Sequence, residues 1–152
     1  MNTFIKQTGN GRLGLLGILL LLFVLMPAPL FSLTNQVPMS GTFSGAGATF
    51  SGQVTYLGHF VGVIDNTTVP PHAVWTAANG DTLSNITTSF VIDFSAPVAP
   101  NVYPYRQTIA FTDGSSRFRN AIGSAEITGT IDVTTFAYNG RINGTISPPN
   151  SG

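Results

Sequence analysis

The stretch EITGTIDVTTFAYNGRINGTI, Glu126 to Ile146, decides how the chain folds. Ile127, Gly129, Ile131 and Val133 alternate with Glu126, Thr128, Thr130 and Asp132. Beyond Thr134 and Thr135 the pattern resumes as Phe136, Tyr138, Gly140, Ile142, Gly144 and Ile146 against Asn139, Arg141, Asn143 and Thr145. Successive strand side chains point to opposite faces, so a period of two predicts two strands, each with an apolar and a polar face, joined by a turn at Thr134 and Thr135. The Asn-Gly pairs at 139 and 143 leave the alternation unbroken. They read as strand residues, with the glycines marking tight curvature.

The same period runs back along the chain. Phe50, Gly52, Val54, Tyr56, Gly58, Phe60, Gly62 and Ile64 fall on every second position and read as one long strand or two, with a bend or bulge expected near Leu57 and Gly58. Asp65 to His72 reads as a loop, and Ala73, Trp75 and Ala77 as the next strand. A turn at Asn79, Gly80 and Asp81 leads to a strand whose even positions Ile86, Thr88, Phe90, Ile92 and Phe94 share one face. Ser95 to Tyr105 holds three prolines and reads as a long connection, followed by a strand over Gln107 to Thr112 and a turn at Asp113 and Gly114. No helical period appears after residue 40. The expected fold is all-β, with about six to eight antiparallel strands in a barrel or sandwich; glycines recurring on the apolar face favour a small barrel.

The segment SSRFRNAIGSAEITGTID, Ser115 to Asp132, resembles the GRFxxAxG stretch of allene oxide cyclase-like and dirigent-like barrels, with Ser116 where the family has its first glycine. YLGHF (56–60) and AANGD (77–81) are similar to short motifs of exported bacterial barrels of that type. The resemblance spans Gly41 to Ser147. It implies an eight-stranded antiparallel barrel with a central cavity, and a structural plug at one barrel end made by Arg117 and Phe118. It carries over no activity, although it would allow an isomerase or cyclase that shapes a hydrophobic substrate inside the barrel.

Ahead of the domain, Met1 to Arg12 carries Lys6 and Arg12 and no acid, and Leu13 to Met26 is an apolar run closed by Pro27 and Pro29. Positive flank, apolar core and helix breaker predict a signal peptide or signal anchor over residues 1–35. The run alone is shorter than the ~20 residues of a bilayer span, and extending it through Leu33 reaches that length, so cleavage and retention as an anchor both stand. Residues 36–40 then read as a linker, 41–148 as the barrel and 149–152 as a flexible tail. The expected location is secreted or extracytoplasmic, in a periplasm or at a cell surface, with membrane contact only through an uncleaved leader.

Composition narrows the partners. Only 8% of residues are charged, and beyond the leader four arginines, Arg106, Arg117, Arg119 and Arg141, face six acids with no lysine. That net negative surface argues against nucleic acid as a partner. There is no cysteine, so disulfides, thiolate catalysis and a lipidated cysteine are excluded, and strand pairing and packing must hold the domain together.

Chemistry-bearing residues are sparse. His59 and His72, even with Asp65 or Asp81, lack a metal-ligand spacing, so neither a metal site nor a cofactor is expected. Serines abound, but no G-x-S-x-G elbow accompanies them. Glu126 and Asp132 lie on a polar strand face. Asp93 stands out among Val91, Ile92 and Phe94; inside the barrel it would need Arg106 or Arg141 as partner, while at a strand end it would simply face water. Candidate ligand-binding residues are therefore Asp93, Tyr103, Arg106 and Arg141. The expected function is non-enzymatic binding of a small apolar ligand or of a cell-surface partner. For the leader, a test is direct: residues 1–40 fused to a reporter enzyme that needs disulfides to fold should yield active reporter, and an inactive cytoplasmic reporter would refute export.

Overall fold

The structure, a computed structural model, describes residues 35–150, so the expected leader lies outside the described residues. Among them, no helix is long and apolar enough to cross a membrane. Eight strands follow in order: β1 (Val37–Ala46), β2 (Thr49–Val54), β3 (Gly58–Asp65), β4 (His72–Ala77), β5 (Thr82–Ile92), β6 (Val102–Gly114), β7 (Gly123–Asp132) and β8 (Ala137–Ile146). Each pairs antiparallel with its neighbour, and β8 pairs with β1 from Val37↔Ile146 to Ala46↔Ala137, closing the barrel. Closure removes the unpaired edges that an open sheet would expose.

The alternation places the core as the residues dictate. Phe50, Val54, Phe60, Trp75, Ile127, Ile142 and Ile146 are all buried, and Ile142 and Ile146 expose nothing. Aromatic rings fill much of the lumen. Phe60 stacks on Trp75 at 4.9 Å between centroids, and Phe50 meets Phe43, Phe60 and Trp75 edge-on at 5.4, 5.8 and 6.2 Å. Such pairs add about 0.5–1.5 kcal/mol each beyond the area they bury. Gly62 makes this possible, because a Cβ there would run into the Phe50 ring.

Several sequence expectations are corrected. The stretch from Phe50 to Ile64 takes the two-strand alternative, but Tyr56 leaves the apolar face: it sits in the turn between the strands, where the backbone takes φ +70° and turns the ring out, 40% exposed. Phe136 likewise leaves the apolar face, at φ +56° in the β7/β8 turn and 61% exposed. Residues 36–40 are not a linker: Val37 begins β1, and Gln36 accepts a hydrogen bond from the Thr145 hydroxyl. The tail is tied down at Asn150, whose N–H donates to the Arg117 carbonyl at 2.8 Å. β6 starts at Val102, inside the expected connection, because Pro104 at this position still leaves its carbonyl to accept from the Asp93 N–H.

The largest correction concerns β5. Its inward residues begin on odd positions, Leu83 and Asn85, both buried, whereas Ile86 and Thr88 do not share their face. A β-bulge between Thr87 and Ser89 then shifts the phase, so that Phe90 and Ile92 lie opposite Gln107 and Tyr105. The even-position reading therefore holds only beyond the bulge.

Register makes a sharp prediction. Ile142→Asp places an unpaired charge in a site with no exposure and loses a packed side chain, a cost of at least about 4 kcal/mol, and should abolish cooperative melting; Asn143→Asp, on the exposed face, should shift stability by less than about 0.5 kcal/mol. Circular dichroism melts of the two variants check both outcomes.

Candidate functional site: a one-ended cavity in the barrel

Antiparallel up-and-down order sends alternate connections to opposite barrel ends. The β2/β3, β4/β5 and β6/β7 connections share one end with the start of β1, and this end is closed. The segment after β6 folds into a single 3-10 turn, Ser116–Phe118, whose Phe118 ring is 2% exposed beside buried Leu57, Leu83 and Ala121. Arg117 crosses to the β4/β5 turn, its Nε donating to the Asp81 carboxylate at 2.6 Å, and its guanidinium lies 5.5 Å from the Phe118 ring centre. Asn79 Nδ2 donates to the same carboxylate at 3.0 Å. The Arg117 hydrogen bond first, and the Asn79 one second, hold the Asp81 pKa below its ordinary 3.8.

The opposite end carries the β1/β2, β3/β4, β5/β6 and β7/β8 connections and opens into a cavity of about 310 Å³. That volume sits at the low end of small-molecule pockets. Phe43, Phe50, Ile64, Ile127 and Ile131 make its apolar walls. Asn85, Thr87, Gln107 and Tyr105, from β5 and β6, give one wall a polar character, with Trp75 adjoining on β4. Gln107 Nε2 donates to the Thr87 hydroxyl at 2.8 Å. Gly140 leaves room for this arrangement, since a Cβ there would come within 2.9 Å of the Tyr105 hydroxyl and 2.8 Å of the Phe43 ring. Burial, with Tyr138 adding a smaller effect, pushes the Tyr105 phenol far above its ordinary value, so it stays neutral at any physiological pH. Among the described residues, no Asp, Glu, Lys, Arg or His lines the cavity. Apolar side chains crown its mouth: Val69, Phe94, Val98 and Phe136 are each more than half exposed on the connections at this end.

The residues singled out from the sequence are placed differently. Asp93 is exposed at the end of β5, where its carboxylate accepts from the Ser95 N–H at 2.9 Å and the Ser95 hydroxyl at 2.5 Å; these bonds lower its pKa and fasten a turn. Arg106 points outward, 3.7 Å from Glu126, with most of its side chain in water. Arg141 is exposed on β8, in register with Thr42 and Thr128, on the outer surface. Tyr103 is half-buried at the rim, packed edge-on against Phe94 at 5.0 Å, and is not a wall of the cavity. Arg117 and Phe118 lie at the closed end, as described. No three His, Cys, Asp or Glu side chains converge among the described residues. The comparisons with known proteins add no relative: no family model, no curated protein and no solved structure matches the chain.

Asn85 and Gln107 are the site residues that sequence reading passes over, because an amide within an alternating strand looks like its solvent face. The only signal was their spacing from Leu83 and Ile109, which puts them in phase with apolar neighbours.

The plug yields a pH test. A carboxylate whose pKa is depressed on folding contributes stability that is fully present above its unfolded value and is lost as pH falls through the folded one. Arg117→Ala should therefore lower the melting temperature at pH 7, and its difference from the unsubstituted protein should shrink below pH 3.8 as Asp81 protonates. Parallel thermal melts from pH 7 to pH 2 measure this; a difference independent of pH would mean the pair does not brace the plug.

Proposed function

We propose that this protein is an exported, non-enzymatic barrel that binds a small apolar molecule in its one-ended cavity. The observation that carries the reading is the cavity itself: open at one end only, bordered there by exposed apolar side chains, and walled, among the described residues, without a charged group. Apolar burial supplies the affinity in such a site and a few polar groups fix orientation. The leader motivates the location, secreted or otherwise extracytoplasmic, or membrane-anchored where it is retained. Kinship with allene oxide cyclase-like and dirigent-like barrels rests on the short segment around RFRNAIG (117–123), since eight-strand closure is common to many barrels.

The competing reading, an isomerase or cyclase, called for Asp93, Arg106 or Tyr103 inside the chamber. Asp93 and Arg106 lie on the outside and Tyr103 at the rim, and burial raises the pKa of both phenols that line the cavity, Tyr105 and Tyr138, so both hold their protons too tightly for general acid or base work near neutral pH. A surface partner would instead use the outer face, and would leave the cavity unused.

A neutral fluorescent probe separates these readings. N-phenyl-1-naphthylamine should brighten on titration with one site per barrel, and Ile131→Trp, which narrows the cavity wall near Tyr138, should weaken it at least tenfold while the fold is retained. A folded protein that leaves the probe dim would overturn ligand binding and favour the surface role.

A further inference from the structure

We infer that the cavity selects uncharged ligands carrying a carbonyl-type acceptor oxygen, received by the Asn85 amide and the Trp75 indole N–H; the inference rests on the cavity being a ligand site. Trp75 Nε1 and Asn85 Nδ2 have no hydrogen-bond partner among the described residues, and both lie just behind the cavity surface with no area open to a water-sized probe, so a ligand oxygen meets them only after rotation of the Asn85 amide and a small shift of the Trp75 ring. Both residues are nearly fully buried, at 2% and 3% exposure, and both line the cavity. They are diagonal neighbours on adjacent strands, since Trp75 pairs with Leu83 and Asn85 with Ala73.

Unpaired buried donors are a net penalty, and native proteins rarely keep them without a purpose. Leu or Phe could fill either position without that penalty. An amide can turn about χ2 to present nitrogen or oxygen, but an indole N–H only donates, so the pair together calls for an acceptor. The Tyr105 hydroxyl, neutral and on the same cavity, is a third donor within the chamber. Charge is excluded by the same walls. A carboxylate would enter a lumen lined by no Arg, Lys or His, and an ammonium one lined by no Asp or Glu, so either would lose its hydration without an ionic partner. The remaining class is a compact apolar ketone, aldehyde, ester, lactone or amide. A hydrocarbon of equal size would gain the apolar contacts and leave both donors unpaired.

The chain holds a single tryptophan, so its indole N–H gives one resonance in a proton–nitrogen correlation spectrum, a direct reporter on the site. Acetophenone, ethylbenzene and benzoate are close in size and differ in the feature at issue. Acetophenone should bind at least tenfold more tightly than ethylbenzene and shift the Trp75 indole proton downfield, and benzoate should not bind. Asn85→Leu should bring the ketone and hydrocarbon affinities to within about threefold of each other, chiefly by weakening the ketone. Equal binding of ketone and hydrocarbon by the unsubstituted protein would overturn this inference while leaving the cavity as an apolar site. Preference for benzoate would also overturn it. Binding of none of the three, in protein with a dispersed spectrum, would remove the cavity reading itself. The comparison within the unsubstituted protein decides even where Asn85→Leu does not fold.

Discussion

Everything in this molecule depends on the pairing of β1 with β8. Ten residues at the start of the domain are zipped to ten at its end, from Val37↔Ile146 to Ala46↔Ala137. Residues about a hundred positions apart must meet before any strand loses its free edge, so the chain-closure entropy is large and the return comes only once the ring is complete. No cysteine is available to hold the ends together. Closure instead relies on in-register packing, with Met39, Phe43, Ile142 and Ile146 buried along the seam. The short loop-like look of residues 36–40 hides this, because the hydrogen bonds of Val37 and Pro38 are made to a segment the local sequence cannot announce.

A barrel closed this way has two ends, and the structure treats them differently. At one, the β6/β7 connection is long enough to fold back over the strand ends, with Phe118 buried and Arg117 bonded to Asp81. At the other, the turns are short or hold prolines and keep their apolar side chains outward, as Val69, Val98 and Phe136 show. Core rings from Phe43 to Phe111 fill the remaining depth, so the cavity is confined to the upper part, where Gly140 admits the Tyr105 hydroxyl.

Much of the architecture was legible because alternation reports burial directly. The phases of β7 and β8 and of Phe50 to Ile64 follow from residue type alone, and the turns at Asn79–Asp81 and Thr134–Thr135 fall where turn formers stand. What failed did so where backbone geometry overrode the pattern. Tyr56 and Phe136 carry apolar rings yet take positive φ, a conformation their side chains give no hint of. The site was less legible than the fold. Asp93, Arg106 and Arg141 attracted notice as charges in apolar company, but a charge on a strand of a small barrel is most cheaply accommodated on the outer face, and there they lie.

The site exists because of one misfit in β5. Without the bulge between Thr87 and Ser89, the inward series begun by Leu83, Asn85 and Thr87 would continue through Ser89 and Val91, and Phe90 and Ile92 would face solvent. With it, the strand presents two amide- and hydroxyl-bearing residues at mid-depth and two apolar ones at the mouth. Phe90 then rests 5.5 Å from the Tyr105 ring. The wall thus changes character along a single strand, polar inside and apolar at the entrance, opposite a wall of Ile127, Ile131 and Phe43 that is apolar throughout. The amides and hydroxyls of Asn85, Thr87 and Gln107 sit below the rim, where a low dielectric strengthens any hydrogen bond they make, while the exposed Asn66 is the one amide lining the cavity from the connections at its open end, among the described residues.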